Sequence, residues 1–313
     1  MSFSTETKNE LARDIPEKKC CQLAEIAGFL RVSGSLRLAG GGKFRIVCPT
    51  DNPAIARHYK KLIKSYFKVD PGIGIEEGGA LRKGHIYYLI VDPDMKSESI
   101  LRETGILLVK EGSNYISDGI YQDIVKKKCD RKSYLRGAFM ACGSVSDPGK
   151  EYHLDFTVEH EQLAADIRKL IGTFDDLEGK ITRRKEKYVV YMKKSEYISD
   201  MLALIGADSA VLALENTRIQ KEVVNRTVRL ANCDSANTDR TVNAAGKQIE
   251  AIQKLNDAGM LDALSGKLLE VAELRLEHPD ASLSELGEMM DPPLKKAGIN
   301  SRLQRIIEAA KNI

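Results

Sequence analysis

The feature that most constrains this sequence is an internal duplication, which begins with an apolar helical stretch that contains glycine. The segment AGFLRVSGSL (Ala27–Leu36) aligns with RGAFMACGSV (Arg136–Val145). Further along, the strand, polar turn and helix of Phe44–Ile63 align with those of Tyr152–Ile171, and both helices end in Lys-Leu-Ile. Self-similarity of this kind indicates that one structural unit is used twice.

Each copy has the order helix, strand, strand, helix, strand, strand, helix. Alternating apolar residues predict the strands, and apolar residues at helical spacing predict the helices between them. Two antiparallel sheets with helices on one face form a pseudo-twofold α+β unit. We therefore predict a domain of residues 1–207 built from two αββαββα repeats, at about residues 18–106 and 129–207.

A glycine lies inside the first helix of the second copy, at position 137. Glycine within a helix costs roughly 1 kcal/mol relative to alanine. Something must offset this cost, so Gly137 has a role in packing, in catalysis or in both.

The pattern changes after Asp208, where no strand-like alternation recurs. The chain becomes polar and helical, with a predicted break around Asn232–Asp239. We predict a linking helix over residues 208–235 and a separate all-helical domain over residues 236–313.

The C-terminal segment has the pattern of a helix-turn-helix. Ser282 and Glu285 form an S-x-x-E capping box that starts one short helix. A second helix is predicted from near Asn300, with an apolar stripe at Ile299, Leu303, Ile306, Ile307 and Ala310. Its outward face offers Asn300, Ser301, Arg302, Gln304 and Arg305. Arginine can bind guanine and asparagine can bind adenine through two hydrogen bonds each.

The charge of this segment supports a nucleic-acid partner. Residues 295–313 carry five bases, among them Lys295 and Lys296, and one acid, for a net charge of +4. Such a field attracts phosphate. The alternative is an ordinary helical hairpin with a solvated basic face, since the stretch Asp291–Gly298 is longer than the usual turn of 3–4 residues.

The duplicated helices resemble the LAGLIDADG signature of homing endonucleases, over Ile26–Gly34 and Leu135–Gly143. The resemblance implies that the two helices pack closely through small residues, here Ala27, Gly28, Gly137 and Ala138. It also implies an acid before the last glycine that holds a divalent metal. This chain has Ser33 and Cys142 there, and both are poor ligands for Mg²⁺. We expect no catalytic residues and no metal, and a site relocated to Glu25, Asp147 or Asp155 is the alternative.

The whole chain is similar to the WhiA family of bacterial sporulation and cell-division regulators. The similarity includes MSFSTETKNEL at the start, Arg131–Phe156, Glu215–Ile252 and Ser282–Ile307. It implies a degenerate homing-endonuclease-like domain joined to a helix-turn-helix that resembles the promoter-reading region of sigma factors. The implied function is sequence-specific transcription regulation in cell division, chromosome segregation and, in sporulating relatives, sporulation.

Two further basic segments are candidates for phosphate contact. Gly179–Lys194 has seven bases and one acid, with the densest cluster at Arg183, Arg184, Lys185 and Lys187, and Val125–Arg136 has six bases. A helix over Asn216–Asn232 adds Arg218, Lys221, Arg226 and Arg229. Contacts of this kind position a protein on DNA without reading sequence. The alternatives are a solvated, charged sheet edge and a helix that packs between domains.

The expected partner is double-stranded promoter DNA, with RNA polymerase or another transcription regulator as a further candidate. Six cysteines without a C-x-x-C pair predict neither a zinc site nor a disulfide framework, and we expect no cofactor. A polar start and the lack of a long apolar run predict a cytoplasmic, nucleoid-associated protein. The duplication is compatible with a monomer. A metal-dependent endonuclease and a protein-binding adaptor of the transcription or division machinery are the rival functions.

Overall fold

The computed structural model describes residues 1–41, 43–77, 84–174 and 177–312. The chain divides into two compact units, Met1–Gln220 and Lys221–Ile313. The boundary between them falls within the predicted linker of residues 208–235, and the assignment of that stretch as a linker stays a prediction. Each unit is described by itself.

The first unit contains both predicted repeats. A short helix, α1 (Phe3–Leu11), precedes them. The first repeat consists of α2 (Lys19–Ser33), β1 (Ser35–Leu38), β2 (Phe44–Thr50), α3 (Pro53–Phe67), β3 (Gly72–Glu77), β4 (His85–Val91) and α4 (Ser97–Glu103). A hairpin of β5 (Leu107–Lys110) and β6 (Ser113–Ile116) follows, and then a 3₁₀ turn at Gln122–Val125.

The second repeat has the same order of elements. It consists of α5 (Lys128–Cys142), β7 (Gly143–Val145), β8 (Leu154–Val158), α6 (Glu161–Ile171), β9 (Lys180–Arg184), β10 (Lys187–Met192) and α7 (Ser195–Ile205). The predicted α+β class and the two αββαββα repeats are therefore confirmed.

The two four-stranded sheets have equivalent topologies, β1-β2-β4-β3 and β7-β8-β10-β9. All of their strand pairs are antiparallel, with Cys48 opposite Leu89 in one sheet and Phe156 opposite Val190 in the other. These four residues are buried in a core that also includes the helices. Because residues directly opposite each other share a face, each sheet has one face on the core and one face directed away from it.

The glycines of α2 and α5 lie where these two helices meet. A Cβ added to Gly137 would lie 3.0 Å from the Phe29 nitrogen and still closer to the Glu25 carbonyl oxygen. A Cβ at Gly28 would lie 3.1 Å from the Ala138 nitrogen and would collide with the Tyr134 carbonyl oxygen. Both helices pack backbone against backbone, so packing accounts for Gly137.

The long helix α8 (Asp208–Asp257) runs unbroken through Asn232–Asp239, so the break predicted there is wrong. The stretch is rich in Asn, Asp, Ser and Thr, whose intrinsic helix propensity is poor. Each of these residues costs well below about 1 kcal/mol, however, and the stretch has neither glycine nor proline. The Thr238 hydroxyl also donates to the Asp234 carbonyl at 2.9 Å, which accommodates its polar group within the helix.

In the second unit, three more helices pack on the C-terminal part of α8. These are α9 (Gly266–Glu277), α10 (Leu283–Glu288) and α11 (Lys296–Lys311). Its core joins Ile252 and Leu255 of α8 to Val271 of α9, Leu286 of α10 and Leu303 of α11. Among the residues described, even the longest helix lacks the sustained apolar stretch that a membrane crossing requires.

Candidate nucleic-acid interface

The helix pair α10–α11 is fixed by specific caps. The Ser282 hydroxyl accepts from the Glu285 backbone nitrogen at 3.3 Å, and the Glu285 carboxylate accepts from the Ser282 nitrogen at 2.7 Å. This is the predicted capping box. The hydrogen bonds of Glu285 to the Ser282 backbone and side chain hold the pKa of its carboxyl below its usual value.

The turn between α10 and α11 is long, but it folds back on α10. The Leu294 nitrogen donates to the Gly287 carbonyl at 2.8 Å. A Cβ at Gly287 would collide with the Leu294 carbonyl oxygen, so the glycine permits this close approach. The unusual length of the turn is thus compatible with a well-packed helix pair.

Helix α11 begins at Lys296, earlier than the predicted start near Asn300. Ile299, Leu303, Ile306 and Ala310 are buried, which confirms most of the predicted stripe, and Ile307 is half-buried. At 100° per residue, the face opposite this stripe contains Ser301, Gln304 and Arg305, and all three are exposed. Asn300 is exposed on one flank of that face.

Arg302 lies on the other flank and is half-buried. Its guanidinium donates to the Lys267 carbonyl of α9 at 3.3 Å. The predicted residues of α11 are therefore not equivalent. Arg305 is free to extend outward, whereas Arg302 also contributes to the packing of α11 on α9.

Two basic side chains that were not predicted as site residues hold the second unit together. Arg275 of α9 is 1% exposed, and its guanidinium donates to the carbonyl of Ala281 at 2.7 Å and that of Pro279 at 3.2 Å. This fixes the segment that leads into α10. Lys254 of α8 donates to the Ala310 carbonyl at 3.0 Å, at the C-terminal end of α11.

The basic hairpin of β9 and β10 divides its charges between two faces. Arg184 pairs with Lys187, and Lys180 pairs with Tyr191, on the face directed away from the core. Arg183 pairs with Tyr188 on the opposite face, and its guanidinium lies 5.7 Å from the Tyr188 ring centre. Of the predicted cluster, Arg184 and Lys187 share the outer face, Lys185 lies exposed at the turn, and Arg183 is separated from them.

The other predicted basic segments are only partly available for a ligand. In Val125–Arg136, Arg136 is buried and Arg131 donates to the Val125 carbonyl at 2.9 Å. On α8, Arg218 forms ion pairs with Glu215 and Glu196 at 3.0 and 3.4 Å. Arg226 and Arg229 are exposed, and Lys221 is half-buried.

The two positions that carry acids in homing endonucleases lie at the C-terminal ends of α2 and α5. The Ser33 hydroxyl donates to the Phe29 carbonyl at 2.9 Å. Burial raises the pKa of the Cys142 thiol to about 12, so this group is uncharged at neutral pH. Neither group offers the anionic oxygen that Mg²⁺ prefers.

Helix α1 brings a lysine to this region, which the repeat pattern did not predict. Lys8 interacts electrostatically with Cys142, Asp51 and Asp155. Burial lowers the pKa of Lys8, and these three groups oppose that shift. A cavity of about 990 Å³ beside α1 is lined by further bases, including Arg13, Arg57 and Lys61.

The acids considered for a relocated metal site have other partners. Glu25 is fully buried, 2.6 Å from the His58 ring nitrogen and 3.4 Å from the Arg136 guanidinium. Asp155 lies 3.2 Å from His153, and Asp147 accepts from the Gly149 nitrogen at 2.9 Å. These three acids lie in separate local networks.

The fold and these surfaces define a class of protein that joins a LAGLIDADG-like unit, without acids at the signature positions, to a helix-turn-helix unit. Family models match along the chain as the WhiA N-terminal LAGLIDADG-like domain (residues 19–107), the WhiA LAGLIDADG-like domain (131–224) and the WhiA C-terminal HTH domain (224–310). The chain belongs to the WhiA family.

Curated relatives agree with this assignment over the full length. A protein of Alkaliphilus metalliredigens is 43% identical over 310 residues, covering 99% of this chain and 98% of the relative. A protein of Thermoanaerobacter sp. is 44% identical over 314 residues, covering 100% and 98%. Both relatives are named probable cell division protein WhiA.

Solved structures agree as well. Full-length DUF199/WhiA from Thermatoga maritima has a TM-score of 0.62 at 26% identity and covers 100% of this chain and 99% of that one. The N-terminal LAGLIDADG domain of DUF199/WhiA has a TM-score of 0.50 at 23% identity, with 66% and 92% coverage.

Proposed function

We propose that this chain is a sequence-specific DNA-binding transcription regulator that acts in cell division, chromosome segregation and, in sporulating relatives, sporulation. One observation carries the proposal, namely the exposed polar face of α11 on a capped helix-turn-helix. The second helix of such a pair enters the major groove and contacts base edges. The names of the relatives support the link to cell division.

Base reading is assigned to the exposed face of α11. Arg305 would bind guanine and Asn300 adenine, with Ser301 between them in the sequence. Arg302 would have a smaller share, because it also bonds to α9. Lys295 and Lys296 are exposed at the start of α11 and would contact phosphate.

A second DNA contact is assigned to the first unit. Arg184, Lys185 and Lys187 are exposed on or beside the outer face of the β9–β10 hairpin, and they would bind phosphate without reading sequence. Arg183 would contribute less, because it lies on the opposite face. Lys221, Arg226, Arg229 and the ion-paired Arg218 are the secondary candidates on α8.

The same proposal excludes nuclease activity. Ser33 and the uncharged Cys142 provide no carboxylate at the signature positions, and Lys8 adds a positive charge near Cys142. The positive charge of Lys8 would repel a divalent cation at this position. The role would locate the chain at the nucleoid in the cytoplasm, and RNA polymerase or another transcription regulator would be a second partner.

The test begins with selection of bound DNA by the full chain, followed by titrations of the selected site. Arg305→Ala should weaken specific binding by about 1–3 kcal/mol and relax the preference at one base position. Lys311→Ala is the matched control, because it removes one exposed charge near the far end of the same helix. Unchanged affinity and unchanged base preference in Arg305→Ala would refute the assignment of α11.

Nuclease activity is tested with the same selected DNA. The purified chain is incubated with Mg²⁺ or Mn²⁺, with and without a chelator, and the DNA is examined for strand breaks. The proposal expects intact DNA in every arm. Specific cleavage that the chelator abolishes would favour the metal-dependent endonuclease instead.

A further inference from the structure

The N-terminal turns of α2 and α5 bring together four side chains that can bind a metal. Cys20 and Cys21 come from α2, and Cys129 and Asp130 come from α5. One ligand atom from each residue lies within 4.8 Å of all the others. In the aligned repeats Cys20 corresponds to Cys129, and Cys21 corresponds to Asp130.

The spacing of these atoms fits a tetrahedral ion. With Zn–S bonds of about 2.3 Å and Zn–O bonds of about 2.0–2.2 Å, neighbouring ligand atoms are roughly 3.5–3.8 Å apart. The Cys129 sulfur lies 3.4 Å from an Asp130 carboxylate oxygen, and the Cys21 sulfur lies 3.9 Å from the same oxygen. Both distances match ligands that share one ion.

The surroundings suit an anionic metal centre. A divalent cation with three thiolates and one carboxylate has an excess of negative charge. Both helices direct their N-termini to the cluster, and neither N-cap residue makes a side-chain cap. The positive ends of helix dipoles stabilise such charge. The exposed side chains of Lys18, Lys127 and Lys132 nearby in the sequence add to this field.

We propose that Cys20, Cys21, Cys129 and Asp130 bind one Zn²⁺ ion, which links the two repeats. Thiolates select zinc over Mg²⁺, so this site differs in chemistry from the nuclease site. It also lies at the opposite ends of α2 and α5 from Ser33 and Cys142. A cavity of about 360 Å³, lined in part by Cys21 and Cys129, provides access for the ion.

The decisive measurement is a titration of the reduced full-length chain with Co²⁺. Cobalt in a tetrahedral thiolate site gives a sulfur-to-metal charge-transfer band and strong visible absorption. We expect both to saturate at a single equivalent and to disappear when Zn²⁺ displaces the cobalt. The zinc content of the purified protein should likewise approach a single ion per chain.

Variants distinguish this site from incidental thiol binding. The double variant Cys20→Ser/Cys129→Ser should lose the charge-transfer band. Cys233→Ser removes an exposed thiol on α8 and should keep it. Asp130→Cys should keep a tetrahedral spectrum with a stronger charge-transfer band, because a fourth sulfur replaces oxygen.

Three results would overturn the proposal. The first is no charge-transfer band in the reduced wild-type chain when circular dichroism shows it folded. The second is an unchanged band in the double variant. The third is a Cys21–Cys129 disulfide, found by mass spectrometry, that persists in the chain isolated under reducing conditions. None of these results depends on DNA binding.

Discussion

At the scale of single residues, Gly28 and Gly137 set how closely the central helices approach. Each lies against the backbone of the partner helix, where even a methyl group lacks space. From the helical cost of glycine, the sequence left packing, catalysis or both open for Gly137. Close packing at Gly28 and Gly137 was what the resemblance to the LAGLIDADG signature implied. The identity of the contacting atoms, such as the Glu25 carbonyl oxygen at Gly137, could be seen only in the structure.

Gly137→Ala should therefore destabilise the chain by about 1–3 kcal/mol, since the added methyl group overpacks the helix pair. The matched control is Gly246→Ala on α8, where an added Cβ meets nothing within 4 Å. That change should stabilise the chain by up to about 1 kcal/mol through helix propensity. Urea unfolding of the two variants measures both effects, and equal effects would contradict the packing argument.

The buried network around Glu25 could not be predicted from the sequence. Its carboxylate meets His58 and Arg136, and Arg136 also donates to the Leu11 and Asp14 carbonyls at 2.6 Å each. These residues are far apart in the chain, so no local pattern relates them. In the sequence, Arg136 could only be counted with the surface bases of its segment.

At the scale of elements, the capping box of α10 shows what local sequence can predict. Ser282 and Glu285 are three positions apart, and their two reciprocal hydrogen bonds were expected from that spacing. The start of α11 was predicted four residues too late because the apolar stripe begins only at Ile299, after the first three residues of the helix. The cap of Lys254 on α11 involves distant residues and gave no sequence signal.

Removal of the cap should lower the stability of the second unit by an amount that depends on pH. Ser282→Ala should destabilise the second unit by about 1 kcal/mol. The pKa of Glu285 is lower in the folded chain than in the unfolded chain. Its carboxylate therefore stabilises the folded chain at pH values above the pKa of the unfolded chain, and this stabilisation is lost as the pH falls through the pKa of the folded chain.

The comparison that isolates the carboxylate is Glu285→Gln, because glutamine can retain the capping hydrogen bond. In thermal unfolding across the acid range, the melting temperature of the wild-type chain should fall as the pH falls. The melting temperature of Glu285→Gln should fall less. Parallel pH profiles would show that the charge of Glu285 has no part in the cap.

At the scale of the whole molecule, the duplication predicted the architecture of the first unit. The spacing of apolar residues and the order of the repeated segments can both be recognised in the sequence. The cysteine cluster could not be predicted in the same way. Its ligands come in pairs from two copies more than a hundred positions apart, and each pair alone lacks the usual spacing of a zinc site. Only the packing of α2 against α5 brings the pairs together.

If both units bind DNA, the salt dependence of binding should report the contribution of each surface. The triple change Lys180→Ala, Arg184→Ala and Lys187→Ala removes the bases on the outer face of β9–β10. It should reduce the slope of log K against log salt by about 0.9 for each phosphate that the protein no longer neutralises. The base preference of the selected site should not change.

The control for this change is Arg183→Ala, because Arg183 lies on the other face of the same hairpin. Its slope should fall by less for each charge removed than that of the triple variant, because Arg183 has the smaller share of the phosphate contacts. Binding constants from fluorescence anisotropy over a range of salt concentrations test the prediction. An unchanged slope in the triple variant would refute the assignment of phosphate contacts to the outer face of β9–β10.

Helix α8 has a consequence for the exchange of backbone amide hydrogens with solvent. Its side chains are exposed from Glu222 to Ala244, whereas Leu214 and Ile252, on either side of this stretch, belong to hydrophobic cores. Intrinsic helix propensity alone protects the amides of the middle stretch, and isolated helices are marginal in water. Along this continuous helix, deuterium uptake should be slow around Leu214, fast in the exposed middle stretch and slow again around Ile252. Trypsin should cleave first in the middle stretch, at Arg226, Arg229 or Arg240.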